Sequence, residues 1–365
     1  MPASQVTQNI EAIRGYIQQN DRELIYQMLN GLDFIKDLSV GLRRNVREVQ
    51  LLNKLTVDGG IRPFNDAIDS AKGKRNWTRR TLTPRYGMKI FKVLIQQARE
   101  TFQSEMLAPN AVREPFAAWQ WAREFEKLHE ELNNNFYLSK YHDDPEDFDA
   151  AAAYAVGDLI YFDKGDKRGA IVYECVTITT AGQSPTTHAA KWTDVDAKVI
   201  FDGPGTIIAN EIAASNLSAF AGGAYDETDA YDAYIEQWNN IPEVRKGQGI
   251  VAFASYDSVQ DLITDHNSRF GTGKGIGGVD LDEGKMFTLK GTGSRLKVKP
   301  CTWMGNSRRI IMTKPANFVT GIDSLSDKNS VGKIVENLHG YDAIMTFMLT
   351  FNFADLEVLY VNNQA

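Results

Sequence analysis

Cysteine is nearly absent from this chain. Two occur in 365 residues, Cys175 and Cys301, far apart and outside any C-x-x-C spacing. That excludes a disulfide framework and a thiolate metal site, and both read as small buried hydrophobes. An excess of positive charge is missing as well: 40 Lys and Arg stand against 47 Asp and Glu, a net charge of -7. Neutralising phosphates takes surplus cations, so sequence-wide nucleic-acid binding is excluded, though local basic patches are not. No run is long and apolar enough to span a bilayer. Met1 to Asn9 lacks the basic start and apolar stretch of a signal peptide. The expectation is a protein with no membrane partner that acts where it is made, or is assembled there into something larger.

Signatures of catalysis are equally scarce. Gly273 to Gly278 matches G-x-G-x-x-G, but it follows a predicted helix and runs into Asp280-Leu281-Asp282-Glu283. A dinucleotide fingerprint follows a strand and opens a helix. It also fails as a P-loop, because Gly275 stands where Ser or Thr must follow Lys274. It therefore reads as a loop. Asp280, Asp282 and Glu283 do not complete a calcium loop. The five histidines, at 129, 142, 188, 266 and 339, have no metal-ligand spacing. No nucleophile elbow, Cys-His pair or marked acid/base pair of carboxylates is present. The expectation is a non-enzyme: no catalytic residue, no cofactor, no metal.

What is present is an ordinary globular balance, 43% apolar and 24% charged. The length suits one large mixed domain or two to three smaller ones. Ile10, Ile13 and Ile17, then Leu24, Met28 and Leu32 behind an Asn20–Glu23 capping box, predict two short N-terminal helices with little core of their own. From Leu51 to Val93 the pattern turns extended. Thr56-Val57 and Lys89 to Val93 flank a polar, basic stretch with Lys72, Lys74, Arg75, Arg79, Arg80 and Arg85. This predicts a long β-hairpin whose tip cannot bury itself. It is either a solvated loop or an arm reaching a neighbouring subunit.

Residues 113–138 predict the clearest helix. Pro115 suits its first turn, and Trp121, Phe125, Leu128, Leu132 and Phe136 follow at spacings of four, three, four and four. That stripe reads as core. The acidic, Pro-containing run His142 to Asp147 reads as a linker. Residues 154–196 predict a small all-β unit. Its strands are Leu159 to Tyr161 and Ile171 to Val176, with Trp192 closing it. A unit this small is marginal unless tethered at both ends. A helix through Tyr231, Tyr234, Ile235 and Trp238 follows. Gly249 to Ala254 is the continuous apolar run of a buried strand. Asp257 or Ser258 is expected to cap the next helix. Strands are predicted at 286–289, 296–298, 309–313, 343–353 and 356–361.

This order of parts resembles the major capsid proteins of tailed bacteriophages. Two phrases reinforce it. Tyr234-Ile235-Glu236-Gln237-Trp238-Asn239-Asn240-Ile241-Pro242 resembles their helix-to-strand passage into the axial domain. Arg308 to Thr313 with Asn317 to Asp323 resembles their late strand and turn. The resemblance implies an α+β, HK97-like capsid fold with an N-arm, an extended β-hairpin loop, a spine helix, and peripheral and axial domains. It implies residues 1–54 as the arm, 55–95 as the hairpin and 96–148 as peripheral domain with the spine helix. It further implies 149–197 as an inserted β-domain, 198–229 as peripheral strands, 230–342 as axial domain and 343–365 as closing strands. The function implied is self-assembly into pentamers and hexamers of an icosahedral shell around double-stranded DNA. Portal, scaffold or decoration proteins would be partners, the host cytoplasm the place of assembly and the virion the destination. Lys72, Lys74, Arg75, Arg79 and Arg80 would then lie on the inter-subunit hairpin. Some relatives join Lys to Asn covalently; Lys72 or Lys74 with Asn362 or Asn363 would be the pair, though no specific motif marks it. No large cleaved segment is expected.

The insertion has a resemblance of its own. Tyr154 to Asp158, Tyr173-Glu174-Cys175, Thr180 to Pro185 and Trp192 are similar to small carbohydrate-binding modules of chitinases. Those stack exposed aromatics on sugar rings, which makes Tyr161, Tyr173 and Trp192 candidates for contact with surface glycans. The alternative is that these aromatics are the core of a tiny decorating domain. Other readings of the whole chain are an encapsulin-like nanocompartment, a secreted carbohydrate-binding protein and a tail-tube protein.

Overall fold

The computed structural model describes residues 31–57, 75–94, 116–142, 145–165, 170–270, 286–323, 330–337 and 340–364. The predicted helices before Leu32, Lys72 and Lys74, His339, and the Gly-rich stretch with Asp280, Asp282 and Glu283 lie outside these residues.

The chain opens with α1 (Asp33–Asp37), β1 (Leu42–Arg44), β2 (Gln50–Val57), β3 (Arg75–Leu82) and β4 (Arg85–Leu94). Helix α2 (Phe116–Asn135) is followed by four short strands: β5 (Glu146–Asp147), β6 (Leu159–Asp163), β7 (Ala170–Cys175) and β8 (Trp192–Asp194). Next come α3 (Pro204–Ala213), α4 (Ala230–Asn239), α5 (Glu243–Lys246), β9 (Val251–Ser255) and α6 (Tyr256–Phe270). The chain ends with β10 (Phe287–Thr288), β11 (Lys297–Cys301), β12 (Ile311–Thr313), β13 (Phe318–Ile322), β14 (Ser330–Asn337), β15 (Gly340–Phe353) and β16 (Tyr360–Val361). The result is a mixed α/β fold with several sheets.

Helix α2 forms where the apolar stripe predicts it. Trp121, Phe125, Leu128, Leu132 and Phe136 are all buried. The opposite face is solvated and carries the pairs Arg123–Glu126 and Lys127–Glu130. Phe136, just past the helix, gathers the surrounding elements. It stacks on Phe34 of α1 at 3.9 Å and meets Trp303 and Phe351 edge-on at 5.3 and 5.6 Å. Beside it Gly203 passes so close to the carbonyls of Phe136 and Tyr137 that no side chain fits.

The long strand β15 organises the first sheet. Along one edge it pairs with β4, and along the other with β14 and then β13, all antiparallel. The second sheet runs β10-β11-β9-β12-β16. Its central strand β9 is buried throughout. Val251 and Phe253 point into the core shared with α2 and β15, while Ala252 and Ala254 point into a separate core under α4 and α6. A strand buried on both faces has no polar side, which is why its sequence is a continuous apolar run.

Three expectations change in detail. Helix α6 starts at Tyr256, so its first turn is capped by Ser255, whose Oγ accepts the Ser258 amide at 3.2 Å, not by Asp257 or Ser258. The strand expected over 356–361 is only Tyr360–Val361, because Asp355 accepts the Glu357 amide and turns the chain into a 3-10 helix first. The hairpin's arms are β2 and β3, in register from Gln50–Leu82 to Val57–Arg75. Residues 89–93 are extended as expected, but in β4, paired with β15.

Candidate assembly surface

Alternation along β2 and β3 gives the hairpin two faces of opposite character. On one, Leu52 and Leu82 are buried against Val46 and Val319. On the same face Lys54 Nζ reaches Asp355 Oδ1 and Glu357 Oε2, each at 2.7 Å. Arg80 donates to Glu211 Oε1 at 2.7 Å, to Asn352 Oδ1 at 2.7 and 3.2 Å, and to the Phe353 carbonyl at 2.9 Å. Burial alone lowers the affinity of Lys54 for its proton, but the bonds to Asp355 and Glu357 outweigh it and leave the ammonium above its ordinary pKa. Burial likewise raises Glu211, and the hydrogen bonds from Asn216 and Arg80 overcome it, holding the carboxyl below the usual glutamate range.

Among the described residues, the other face makes no such return to its own chain. Leu55 pairs across the ribbon with Trp77, Asn53 with Arg79, and Val57 with Arg75. All six are solvent-exposed or nearly so. Trp77 is 62% exposed, and Leu51, Leu55 and Val57 join it in an apolar strip flanked by the two arginines. A two-stranded ribbon has no core of its own and is marginal alone in water. Trp and Arg are the residue types enriched at the centre of protein–protein contacts, and here the aliphatic side chains extend the apolar area around the Trp.

Arg75, Arg79 and Arg80 therefore separate. Arg75 and Arg79 lie on the free face. Arg80 does not: it is fixed inside its own subunit, which corrects its grouping with the reaching arginines. Its partners lie more than 130 residues away in sequence, and no local pattern announces them. Lys54 was missed for the same reason. Of the candidate crosslinking asparagines, Asn362 is buried and its amide is engaged at both ends, by the Ile310 N–H and the Arg308 carbonyl.

The four short strands β5 to β8 form their own sheet in that order. The two candidate aromatics Tyr173 and Trp192 are 2% and 6% exposed, in one cluster with Ile160, Ile171 and Cys175. Trp192 Nε1 donates to the Gln183 carbonyl at 3.0 Å, and Tyr154 meets the indole edge-on at 5.4 Å. Neither ring presents a free face for a sugar. Tyr161 points to the other side of β6 and is half-buried. Lys140 N donates to the Lys198 carbonyl at 2.7 Å and His142 N to Val199 O at 3.2 Å, so the chain leaves and rejoins the body at one place.

Among the described residues, no group of three or more His, Cys, Asp or Glu is placed to hold a metal ion. Cys175 and Cys301 are both free and buried, and burial pushes both thiols upward in pKa. No helix among the described residues is long and apolar enough to cross a membrane.

No family model matches the chain, and no curated protein matches its sequence. Solved structures of similar chain path exist. A chain of the satellite phage P4 procapsid that includes the size determination (Sid) protein is 11% identical, with 94% of this chain and 90% of that one covered at a TM-score of 0.49. The virus-like particle from Pyrococcus furiosus gives 8% identity, 93% and 96% coverage and a TM-score of 0.41. The holo-SrpI encapsulin complex from Synechococcus elongatus PCC 7942 gives 10% identity, 88% and 83% coverage and a TM-score of 0.42.

Proposed function

We propose that this protein is a shell-forming subunit, the major capsid protein of a tailed phage. One observation carries the reading. The β2–β3 ribbon is fastened on one face by Lys54, Arg80, Leu52 and Leu82, and among the described residues nothing covers Trp77, Leu55, Val57, Arg75 and Arg79 on the other. A second copy of the chain would supply the missing contact. Stability and assembly are then coupled by mass action. The order of elements, from hairpin through spine helix to insertion and compact body, supports the same assignment through its sequence resemblance to capsid proteins.

In this reading 55–95 carries the inter-subunit hairpin and returns to the body as β4, 96–148 and 198–229 are the peripheral domain, 230–342 the axial domain and 343–365 the closing strands. Pentamers and hexamers would enclose double-stranded DNA without sequence preference, with a portal at one vertex. The inserted unit, 149–197, would ride on the shell with its aromatics committed to its own core.

The test is electron microscopy of the full-length chain, wild type beside Trp77→Glu. Closed shells or hexameric sheets are expected from the first and dispersed subunits from the second. Equal particle yields from both chains would sink the hairpin face as the assembly contact. Dispersed wild-type subunits at every concentration, with packaging proteins supplied, would remove the shell reading altogether.

A further inference from the structure

The geometry points to a two-point latch, Lys54 and Arg80, that fixes the inclination of the hairpin inside the single subunit before any neighbour arrives. Its use in a shell rests on the function proposed above; the latch itself is a property of one chain.

The hairpin root has little apolar hold. Val46, Leu52, Leu82 and Val319 are the whole cluster, with Ala354 packed beside it. Orientation therefore depends on the two cations. Each enters a socket already rigid from its own bonds. Asp355 is held by Asn317, whose Nδ2 donates to its carbonyl at 2.8 Å and whose Oδ1 accepts its amide at 2.7 Å. Glu211 is held by Asn216 Nδ2 at 2.8 Å. Asn352 Oδ1 is set by the Phe353 amide at 2.8 Å, and its Nδ2 donates to the Thr81 carbonyl of the hairpin at 2.6 Å, a bond that closes beside Arg80 as part of the same latch point. Charge-assisted bonds into preset acceptors are the strong kind.

The surroundings are built for a hinge. Strands β3 and β4 are separated only by Thr83-Pro84, and proline cannot extend a ladder through its missing N–H. Just beyond, the Arg85 guanidinium lies 3.4 Å above the Tyr141 ring and pins the start of β4. The latch and the pin thus sit on opposite sides of the break. Beneath it is an open cleft of about 250 Å³ bordered by Arg80, Thr83, Arg85, Tyr141, Asp202 and Glu211. With Arg80 removed, the ribbon has room to tilt about Thr83-Pro84 while β4 stays in its sheet.

Arg79 and Arg80 are adjacent and face opposite ways, so they form a matched pair of probes. Hydrogen exchange on the full-length chain, diluted until dispersed, reads the latch directly. Arg80→Ala is expected to speed exchange of amides in 50–57 and 75–82 by about tenfold, while Arg79→Ala leaves them unchanged. Amides of β9 and β12 are expected to keep their protection in both. Should Arg80→Ala not fold, Glu211→Gln keeps the shape and is expected to speed the same amides by about threefold. Unchanged hairpin exchange in Arg80→Ala or Glu211→Gln, or acceleration that extends to β9 and β12, overturns the latch. A chain that builds no shells yet loosens only its hairpin would keep the latch and lose the shell.

Discussion

Two small β-units stand outside the two large sheets, and their tryptophans tell them apart. In the insertion, Trp192 is 6% exposed, hydrogen-bonded and ringed by aromatics. In the hairpin, Trp77 is 62% exposed on a ribbon with no second layer. Four strands closing over five buried side chains can satisfy themselves. Two strands packed on a body by one face have no residues of their own with which to cover the other. The difference teaches where to look for partners. An aromatic that completes a core is a folding residue, whatever sequence it resembles; an aromatic left outside marks an unmet contact.

The contrast can be broken by exchanging consequences. The largest effect is expected at Trp77. Trp77→Glu should cut particle yield at least tenfold while the melting temperature of the dispersed chain barely moves, because a surface change away from special features costs about 0.5 kcal/mol or less. Trp192→Ala should do the reverse. Loss of a core Trp costs about 3–5 kcal/mol, enough to unfold a unit so small. Proteolysis should then cut within 145–197, with particles still forming. If Trp192→Ala abolished particles, the insertion would be part of the assembly contact and the comparison would fail.

Acid supplies a smaller test. Glu211 has its pKa depressed, with Arg80 and Asn216 bonded to it and Asp202 across the cleft. Its contribution is present above the ordinary glutamate value, about 4.3, and is lost as pH falls through the lower folded value. Lys54 works in the opposite sense. Its raised pKa makes its contribution complete below the ordinary lysine value, about 10.4, and lost as pH rises through the higher folded value. Hairpin exchange should therefore be flat from about pH 5 to 10, after correction for intrinsic rates, and rise outside that window. The smallest effect is expected at Leu51→Ser, on the free face. It should leave stability within about 0.5 kcal/mol and reduce particle yield less than Trp77→Glu does.

Much of the body was legible in the sequence, for identifiable reasons. The helix over 116–135 announced itself because each turn places one large apolar residue on the same side. Strand β9 did so because both of its faces are buried. The strands Leu159–Asp163 and Ala170–Cys175 lie where alternation and turn residues place them, and they pair in one small sheet closed by Trp192. What could not be read was pairing at a distance. Strand β3, with Arg75-Asn76-Trp77-Thr78-Arg79-Arg80, carries almost no burial pattern because no described residue packs against one of its sides. Strand β4 reads as a strand, but nothing local says that its partner is β15, some 250 residues onward. For the same reason Arg80 looked like its neighbour Arg79, although a single residue step along a strand turns a side chain to the opposite face.

The hydrogen bond between Lys140 and Lys198 places the two ends of the insertion one strand spacing apart. Between those points the chain makes a closed excursion, in which Tyr141, beneath Arg85 and bonded to Asp202, still belongs to the body. Exchange of material between His142 and Lys198 is therefore expected to leave the path of the chain on either side unaltered. Any folded cargo whose termini lie side by side meets the same geometric condition. The seam is a docking port written into the backbone, open to substitution by evolution or by design.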